Sequence, residues 1–366
     1  MSQALLKGFE DQIKEAVQSK QVLRITGSGS KDWLGGPLKG SPLSTKEYQG
    51  VVSYQPDELV ITVKAGTSLA EVEAILAEKN QQFAFEPPHF GKDATIGGMV
   101  CAGLAGPGRV SVGNLRDFVL GAKIMDGQGQ IMNFGGTVMK NVAGYDVSRL
   151  MPASLGTLAL LLDVSIKVLP KPAATATLTA QINQAEAIHL MNLLASQPWP
   201  LSASAWQGEQ MGQLHIRLNG AKAAVASAIH HFGNQYGMKP LDQTEAEQYW
   251  KDLKEQQLPW FKNSAETPLW RFAVAPTSKP LSLSGETLIE WHGGQRWWKG
   301  SIEPNTAKQI AQTAQGHASL FRASDKTSAM LSSLKDHPLT RPLVSIQDQL
   351  SKAFDPHGVF ATGRLA

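Results

Sequence analysis

The opening segment MSQALLKGFEDQIKEAV places Leu5, Leu6, Phe9, Ile13, Ala16 and Val17 at helical spacing, with Glu10, Asp11 and Glu15 among them. That pattern predicts an amphipathic helix. QVLRITGSGSK then reads as a strand running into a glycine turn, and ELVITVKAG as an alternating strand. SLAEVEAILAEKN reads as a helix opened by Ser68 and Glu71 at capping-box spacing. The long stretch FEPPHFGKDATIGGMVCAGLAGPG has no hydrophobic period, whereas FVLGAKIMDGQGQIMNF predicts two strands joined at Asp126-Gly127. AGYDVSRLMPASLGTL is again irregular and leads into the β-rich run ALLLDVSIKVLPKP.

Beyond that run, TATLTAQI, a helix at 184–196, SASAWQ, QLHIRLN and a helix at 221–236 give the order βαββα. LWRFAVAP, TLIEWHGG, QRWWKGSI, a helix at 305–315 and ASLFRAS supply three more strands, a helix and a final strand. The expected fold class is α+β, and this half is expected to form a single antiparallel sheet with helices on one face.

A chain of 366 residues exceeds one ordinary core. The change in pattern at Pro170-Lys171-Pro172 predicts a first domain over 1–170, a second over 171–345 and a tail over 346–366. Most of the 34 glycines precede that boundary and all but one of the nine tryptophans follow it. A backbone-lined binding domain followed by one packed by large side chains gives this asymmetry. The net charge of +3, without any block of Lys or Arg, argues against a nucleic-acid partner. Asp163 interrupts the most apolar run, LALLLDVSIKVL, well short of the roughly 20 residues of a membrane span. The expected location is cytoplasmic, at most peripheral on the inner face of the cell membrane. The lone Cys101 forms no internal disulfide and leaves no four-thiolate set for an iron–sulfur cluster. No metal site is expected among the nine histidines.

The glycine loops carry the candidate chemistry. Gly27-Ser28-Gly29 follows a strand, but Asp32 stands where a dinucleotide fingerprint needs its third glycine, and no GxxxxGK[ST] occurs. Thr26 to Ser30, followed by Lys31, is either an ordinary tight turn or a nest of backbone N–H groups able to hold a pyrophosphate. Thr95-Ile96-Gly97-Gly98, continuing through Ala102-Gly103, is a second loop of small residues. Gly144 and Gly156 mark a third. Glycine inside a regular element costs roughly 0.5–1 kcal/mol against alanine, so its repeated use suggests close approach to the backbone.

RITGSGSK, LVITVKAGTSLAEVEAIL, DATIGGMVCAGLAGPGR and NVAGYDVSRLMPASLGTLALLLDVSIKVLPKP follow in order the motifs of the FAD-binding domain of the vanillyl-alcohol oxidase, or PCMH-type, flavoprotein family, which the chain resembles over about residues 5–170. LIEWHGGQRWW and the tail AFDPHGVFATGRL resemble the FAD-binding subunits of bacterial glycolate oxidases. The resemblance implies a PCMH-type two-subdomain FAD-binding domain followed by a ferredoxin-like cap, with the tail returning to the FAD domain. It implies FAD at Thr26, Gly27, Ser28, Gly29, Ser30, Thr95, Ile96, Gly97, Gly98, Ala102, Gly103, Gly144, Asp146, Gly156 and Thr157, with Arg364 offering positive charge. It further implies oxidation of glycolate to glyoxylate in a complex with a second FAD-binding chain and an iron–sulfur chain, or a structural or electron-relay role without a substrate site. Ala153 and Ala159 stand where relatives often have glycine. The first loop lacks the histidine that bonds flavin covalently in many of them, so noncovalent FAD is expected. The HxGDGN-type metal motif of larger relatives is absent as well.

A 2-hydroxy acid calls for an arginine on its carboxylate and a base for its hydroxyl proton. Arg271, Arg296 and Arg322 are the arginine candidates, each also readable as an arginine packed at a sheet edge; the base is not identified. His89 and His357 have two readings each, near the flavin or bonded to backbone, and Cys101 is better read as a small buried hydrophobe.

Overall fold

The computed structural model describes residues 2–136, 146–262, 267–323 and 341–364. They form two compact units, one of Met1–Leu104, Asn114–Pro170 and Leu339–Ala366, the other of Ala105–Gly113 and Lys171–Pro338.

In the first unit α1 (Ser2–Ser19) buries Phe9, Ile13 and Ala16, the stripe that its spacing predicts. Strand β1 (Leu23–Thr26) pairs in parallel with β2 (Ser41–Ser44). A five-stranded sheet takes β3 (Val51–Gln55), β4 (Val60–Lys64), β6 (Val119–Met125), β7 (Ile131–Gly135) and β8 (Leu160–Lys167) in the order β3-β4-β8-β6-β7, all antiparallel. Strand β8 is central and almost wholly buried, which is why its sequence is a continuous apolar run and not an alternation. Short β5 (Gln81–Gln82) pairs with β9 (Leu169–Pro170). Helix α2 (Leu69–Glu78) starts at Ser68, whose hydroxyl accepts from Glu71 N, and α3 (Ile96–Ala102) starts at Thr95, whose hydroxyl accepts from Gly98 N.

The chain's end belongs to this unit. Helix α11 (Arg341–Phe354) stops at Asp355-Pro356. The Asp355 carboxylate accepts from Val359 N at 2.8 Å and Phe360 N at 2.6 Å, tying a tight turn. Leu23 N donates to Val359 O at 2.7 Å. Val359 and Phe360 are buried among Phe9, Ile13, Leu43 and Leu162, so the last residues complete a core begun by the first.

The second unit is built on one sheet of eight strands, all antiparallel, in the order β13-β10-β12-β11-β15-β16-β14-β17. These are β10 (Ala174–Asn183), β11 (Leu201–Gly208), β12 (Met211–Gly220), β13 (Lys239–Pro240), β14 (Leu269–Ala273), β15 (Thr287–Glu290), β16 (Gln295–Lys299) and β17 (His317–Arg322). Helices α6 (Gln184–Ala195) and α7 (Lys222–Tyr236) bury their apolar stripes against Leu178, Trp206, Leu214, Ile216 and Ile289. Helix α10 (Pro304–Thr313) packs on Trp270, Phe272, Trp298 and Leu320. The register places Trp206, Ile289 and Phe272 on one face, so these three helices share it, as expected. A helix that the sequence pattern does not single out, α8 (Gln243–Lys254), lies on the other face: Trp250 Nε1 donates to Thr177 Oγ1 at 2.9 Å and Tyr249 stacks on His215. Tryptophans 206 and 270 are wholly buried. Among the described residues no helix is long and apolar enough to cross a membrane.

Burial pushes His215 and His292 down to about 4 from an ordinary 6.5. Between those values the unfolded chain binds more protons than the folded one, so stability is complete above the unfolded value and falls as pH drops toward the folded one. The unfolding midpoint of the second unit is therefore expected to decline as pH falls from 6.5 to about 4. His292→Asn, a residue that tolerates His292's φ of 55°, should flatten part of that decline in pH-dependent calorimetry.

Candidate functional site

The first unit contains a cleft lined by three stretches of small residues. Ile25 to Asp32 form one wall, where β1 ends. Thr95, Gly97, Gly98, Cys101 and Ala102 form a second, along the start and inner side of α3. Leu155, Gly156 and Leu161 form a third, and Thr45, Ala65 and Arg364 complete the lining.

Steric reasons fix glycine at two points. A Cβ on Gly27 would run into Thr95 Oγ1, the atom that caps α3. A Cβ on Gly97 would lie 2.9 Å from Ala65 Cβ and 3.0 Å from Ala65 O, where Gly97 N already donates at 2.7 Å. Only chain without side chains lets the turn after β1, the end of β4 and the start of α3 come this close.

The cleft offers hydrogen-bond donors. Asp32 N donates to Gly29 O at 3.0 Å and Ser30 N to Ser28 Oγ at 3.4 Å, which closes the first loop on itself. The backbone N–H groups of Gly27, Ser28 and Gly29 have no protein acceptor among the described residues. Lys31 is buried, its ammonium donating to His89 O at 2.9 Å. Arg24 pairs with Asp32 at 3.2 Å. Arg364 reaches the loop from the chain's end, its Nη2 donating to Lys31 O, Asp32 O and Leu34 O at 3.2, 3.3 and 2.6 Å. Burial pushes Arg364 below its ordinary range, with Asp32 acting in the opposite sense. Arg364 thus holds the first loop by its carbonyls, which leaves the loop's N–H groups for a ligand. Burial raises the Cys101 thiol, an effect that hydrogen bonds to Ser154 and Gly156 oppose. A thiol held protonated is a poor nucleophile toward a flavin.

Of the residues expected from sequence, Thr26, Gly27, Ser28, Gly29, Ser30, Thr95, Gly97, Gly98, Ala102, Gly156 and Arg364 line this cleft. Ile96 is wholly buried in α3, and Gly103 ends that helix in the left-handed conformation. Thr157 donates its hydroxyl to Ser154 O, and Asp146 is exposed and paired with Arg149 at 3.1 Å. Gly144 lies outside the described residues. His89 bonds Glu73 through Nε2 at 2.9 Å, and His357 is exposed. Sequence reasoning missed Thr45, Ala65 and Leu161. Thr45 N donates to Thr26 O through the parallel β1–β2 pairing, and SPLS carries no alternation to announce a strand.

In the second unit the three candidate arginines differ. Arg296 is buried and donates to three carbonyls, those of Gly293, Lys279 and Ser278. Arg322 donates to Gln256 Oε1 at 2.8 Å. Arg271 has neither an ion pair nor a hydrogen bond from its guanidinium among the described residues, and sits 5.4 Å from the Phe321 ring centroid. Two of the three are therefore occupied in holding loops.

Unmet N–H groups on a glycine loop and a buried lysine fit a nucleotide cofactor. Residues 9–135 match the model of the FAD binding domain family. The chain is similar along its whole length to glycolate oxidase subunit GlcE of Escherichia coli (strain K12), with 42% identity over 364 residues, 100% of this chain and 97% of that one. It is 31% identical to a D-lactate dehydrogenase of Anaerostipes hadrus over 164 residues, 44% of this chain and 34% of that one. It is 32% identical to glycolate oxidase subunit GlcD of Bacillus subtilis (strain 168) over 142 residues, 38% of this chain and 30% of that one. It thus spans about a third of the length of these two. Among solved structures, an alkyldihydroxyacetonephosphate synthase has the same fold, with a TM-score of 0.62 at 13% identity, covering 96% of this chain and 74% of that one.

Gly97→Val is expected to lower the FAD recovered per purified chain at least about tenfold, because its side chain forces α3 away from β4. Arg364→Ala should lower FAD retention on dialysis while leaving the far-ultraviolet circular dichroism unchanged. Full flavin content in both variants would place the cofactor elsewhere.

Proposed function

The chain belongs to the family of glycolate oxidase subunit GlcE, an FAD-binding oxidoreductase family, and from that membership we propose that it is the FAD-binding subunit of a complex that oxidises glycolate or a similar 2-hydroxy acid. The observation that carries this reading is similarity over the whole chain to one such subunit, and the glycine-lined cleft of the first unit supports it.

Bound FAD would supply a two-electron acceptor for oxidation of the substrate carbon. The Thr26 to Ser30 loop would hold the cofactor's phosphates through the N–H groups of Gly27, Ser28 and Gly29, and Lys31 would add fixed positive charge. Gly97, Gly98 and Gly156 allow the backbone to lie against it. Arg364 holds the first loop in place from behind. Gly144 and Asp146 remain expected contacts of the cofactor in its third loop. The FAD is noncovalent: the first loop has no histidine, and Cys101 is held as a thiol.

Electrons leave to partner chains. With a single cysteine this chain cannot supply four thiolates, so the iron–sulfur cluster belongs to a separate subunit, beside a second FAD-binding chain. The assembly is cytoplasmic, at most peripheral on the inner face of the cell membrane. The alternative, a flavin-bearing relay or structural subunit without its own substrate site, draws support from Arg296 and Arg322 being engaged in the fold.

Anaerobic addition of glycolate to the isolated, flavin-loaded chain separates these readings. Bleaching of the flavin bands is the expected result; bleaching only after the partner chain is added supports the relay role. Acid precipitation should release the flavin into the supernatant, and yellow colour kept in the pellet would contradict noncovalent binding.

A further inference from the structure

The tail divides at Phe360 into a part built into the first unit and a part that only rests on it. Up to Phe360 the hold is strong: the Asp355 carboxylate ties the turn, Leu23 N donates to Val359 O at 2.7 Å, and Val359 and Phe360 are buried. Beyond Phe360 the backbone bonds turn local, Ala361 N donating to Gly358 O at 3.2 Å and Thr362 N to Phe360 O at 2.8 Å. Among the described residues, segment 361–364 is bonded to the rest of the unit through Arg364 alone. Gly36 N donates to Arg364 O at 3.2 Å, and Arg364 Nη2 donates to the carbonyls of Lys31, Asp32 and Leu34. Arg364 also lines the cleft, so this weakly tied segment is part of its wall.

The closed position carries an unmet cost. Thr362 is buried, and its Oγ1 has no hydrogen-bond partner among the described residues. Arg364 Nε is buried and likewise without a partner. A buried polar atom left unpaired has given up its hydration for nothing, so opening the segment to water relieves both. The bonds made by Arg364 oppose that gain. Closed and open positions therefore differ by the small balance of the two, which is the condition for local opening of a folded unit.

The backbone allows the movement. Gly363 has φ of 75°, and a Cβ there would meet nothing within 4 Å, so the residue has both the freedom and the space to turn. The seat opposite is bare backbone: a Cβ on Gly35 would lie 2.9 Å from Arg364 O, and one on Gly36 2.9 Å from Gly363 O. The other walls are fixed by comparison. Thr95 Oγ1 caps α3 at Gly98 N, and Gly97 N donates to Ala65 O at 2.7 Å.

We propose that residues 361–364 form a strap over the cofactor cleft, and that FAD enters and leaves only when this strap peels back to its anchor at Phe360. The role of the strap as a gate rests on the placement of FAD in this cleft argued above. A gate and a static support differ in their kinetics. Loss of a static contact speeds dissociation alone, whereas loosening a gate speeds association and dissociation together, because both pass through the open form.

The test uses the full chain freed of its flavin, with FAD itself as the probe. Stopped-flow fluorescence of FAD gives association, and transfer of FAD to an excess of another flavin-free FAD-binding protein gives dissociation. A chain ending at Thr362 loses the bonds of Arg364 and should raise both rates at least about threefold. Arg364→Ala should do the same, and it decides the matter should the shortened chain fail to fold. Thr362→Val replaces the unmet hydroxyl by a methyl group, steadies the closed strap and should lower both rates at least about threefold. Faster dissociation without faster association, or rates that Thr362→Val leaves unchanged, would overturn the gate. Hydrogen exchange at the amides of Gly27, Ser28 and Gly29 separates the two readings. Protection of these amides by FAD, with dissociation alone altered in the variants, keeps the cofactor site and loses the gate; amides left unprotected by FAD remove the site itself.

Discussion

The first unit depends on how closely bare backbone can approach bare backbone. The turn after β1 rests on the cap of α3 because Gly27 carries no Cβ, and α3 rests on the end of β4 because Gly97 carries none. These contacts bring three segments far apart in sequence to one cleft and leave N–H groups on its wall without acceptors among the described residues. A larger side chain at either position would do more than narrow the cleft. It would part the elements that form it, so folding and cofactor binding are governed here by the same few atoms.

The chain's end supports this arrangement from behind. Asp355 ties the turn that buries Val359 and Phe360 against the amino-terminal helix, and the strand that leads to the first loop takes a hydrogen bond acceptor from Val359. Arg364 then holds three carbonyls of the loop itself. A segment more than 300 residues away in sequence thus sets the position of the loop, and the unfavourable burial of a guanidinium is offset by those three bonds. The second unit shows the same use of arginine at Arg296, whose three carbonyl contacts hold the loop around Lys279.

Much of this was legible in the sequence where a local rule has one outcome. Ser68 announces a helix start because a hydroxyl before an apolar helix has few better uses, and it caps α2 as expected, whereas Thr95 caps α3 in a stretch that lacks a hydrophobic period and reads as a loop. Seven of the eight strands of the second sheet are legible as apolar or aromatic-rich runs, β10, β11, β12, β14 and β16 among them, whereas the two-residue β13 has no such run. What was hidden depends on partners far away in the chain. Strand β2 lacks alternation and exists through pairing with β1; Ala65 matters only because Gly97 meets it; α8 reads as a polar stretch until Tyr249 and Trp250 find His215 and Thr177. The arginines illustrate the limit best, since nothing in the sequence distinguishes Arg271 from Arg296 and Arg322, which the fold already employs.

The central claim, that FAD is held on the backbone N–H groups of the first glycine loop and the start of α3, is tested most directly by amide hydrogen exchange with and without FAD. The account predicts that the amides of Gly27, Ser28 and Gly29, which have no acceptor among the described residues, become strongly protected when the cofactor binds, while those of the second unit's sheet change little. Exchange at these three amides that is as fast in the flavin-loaded chain as in the chain without flavin would contradict it.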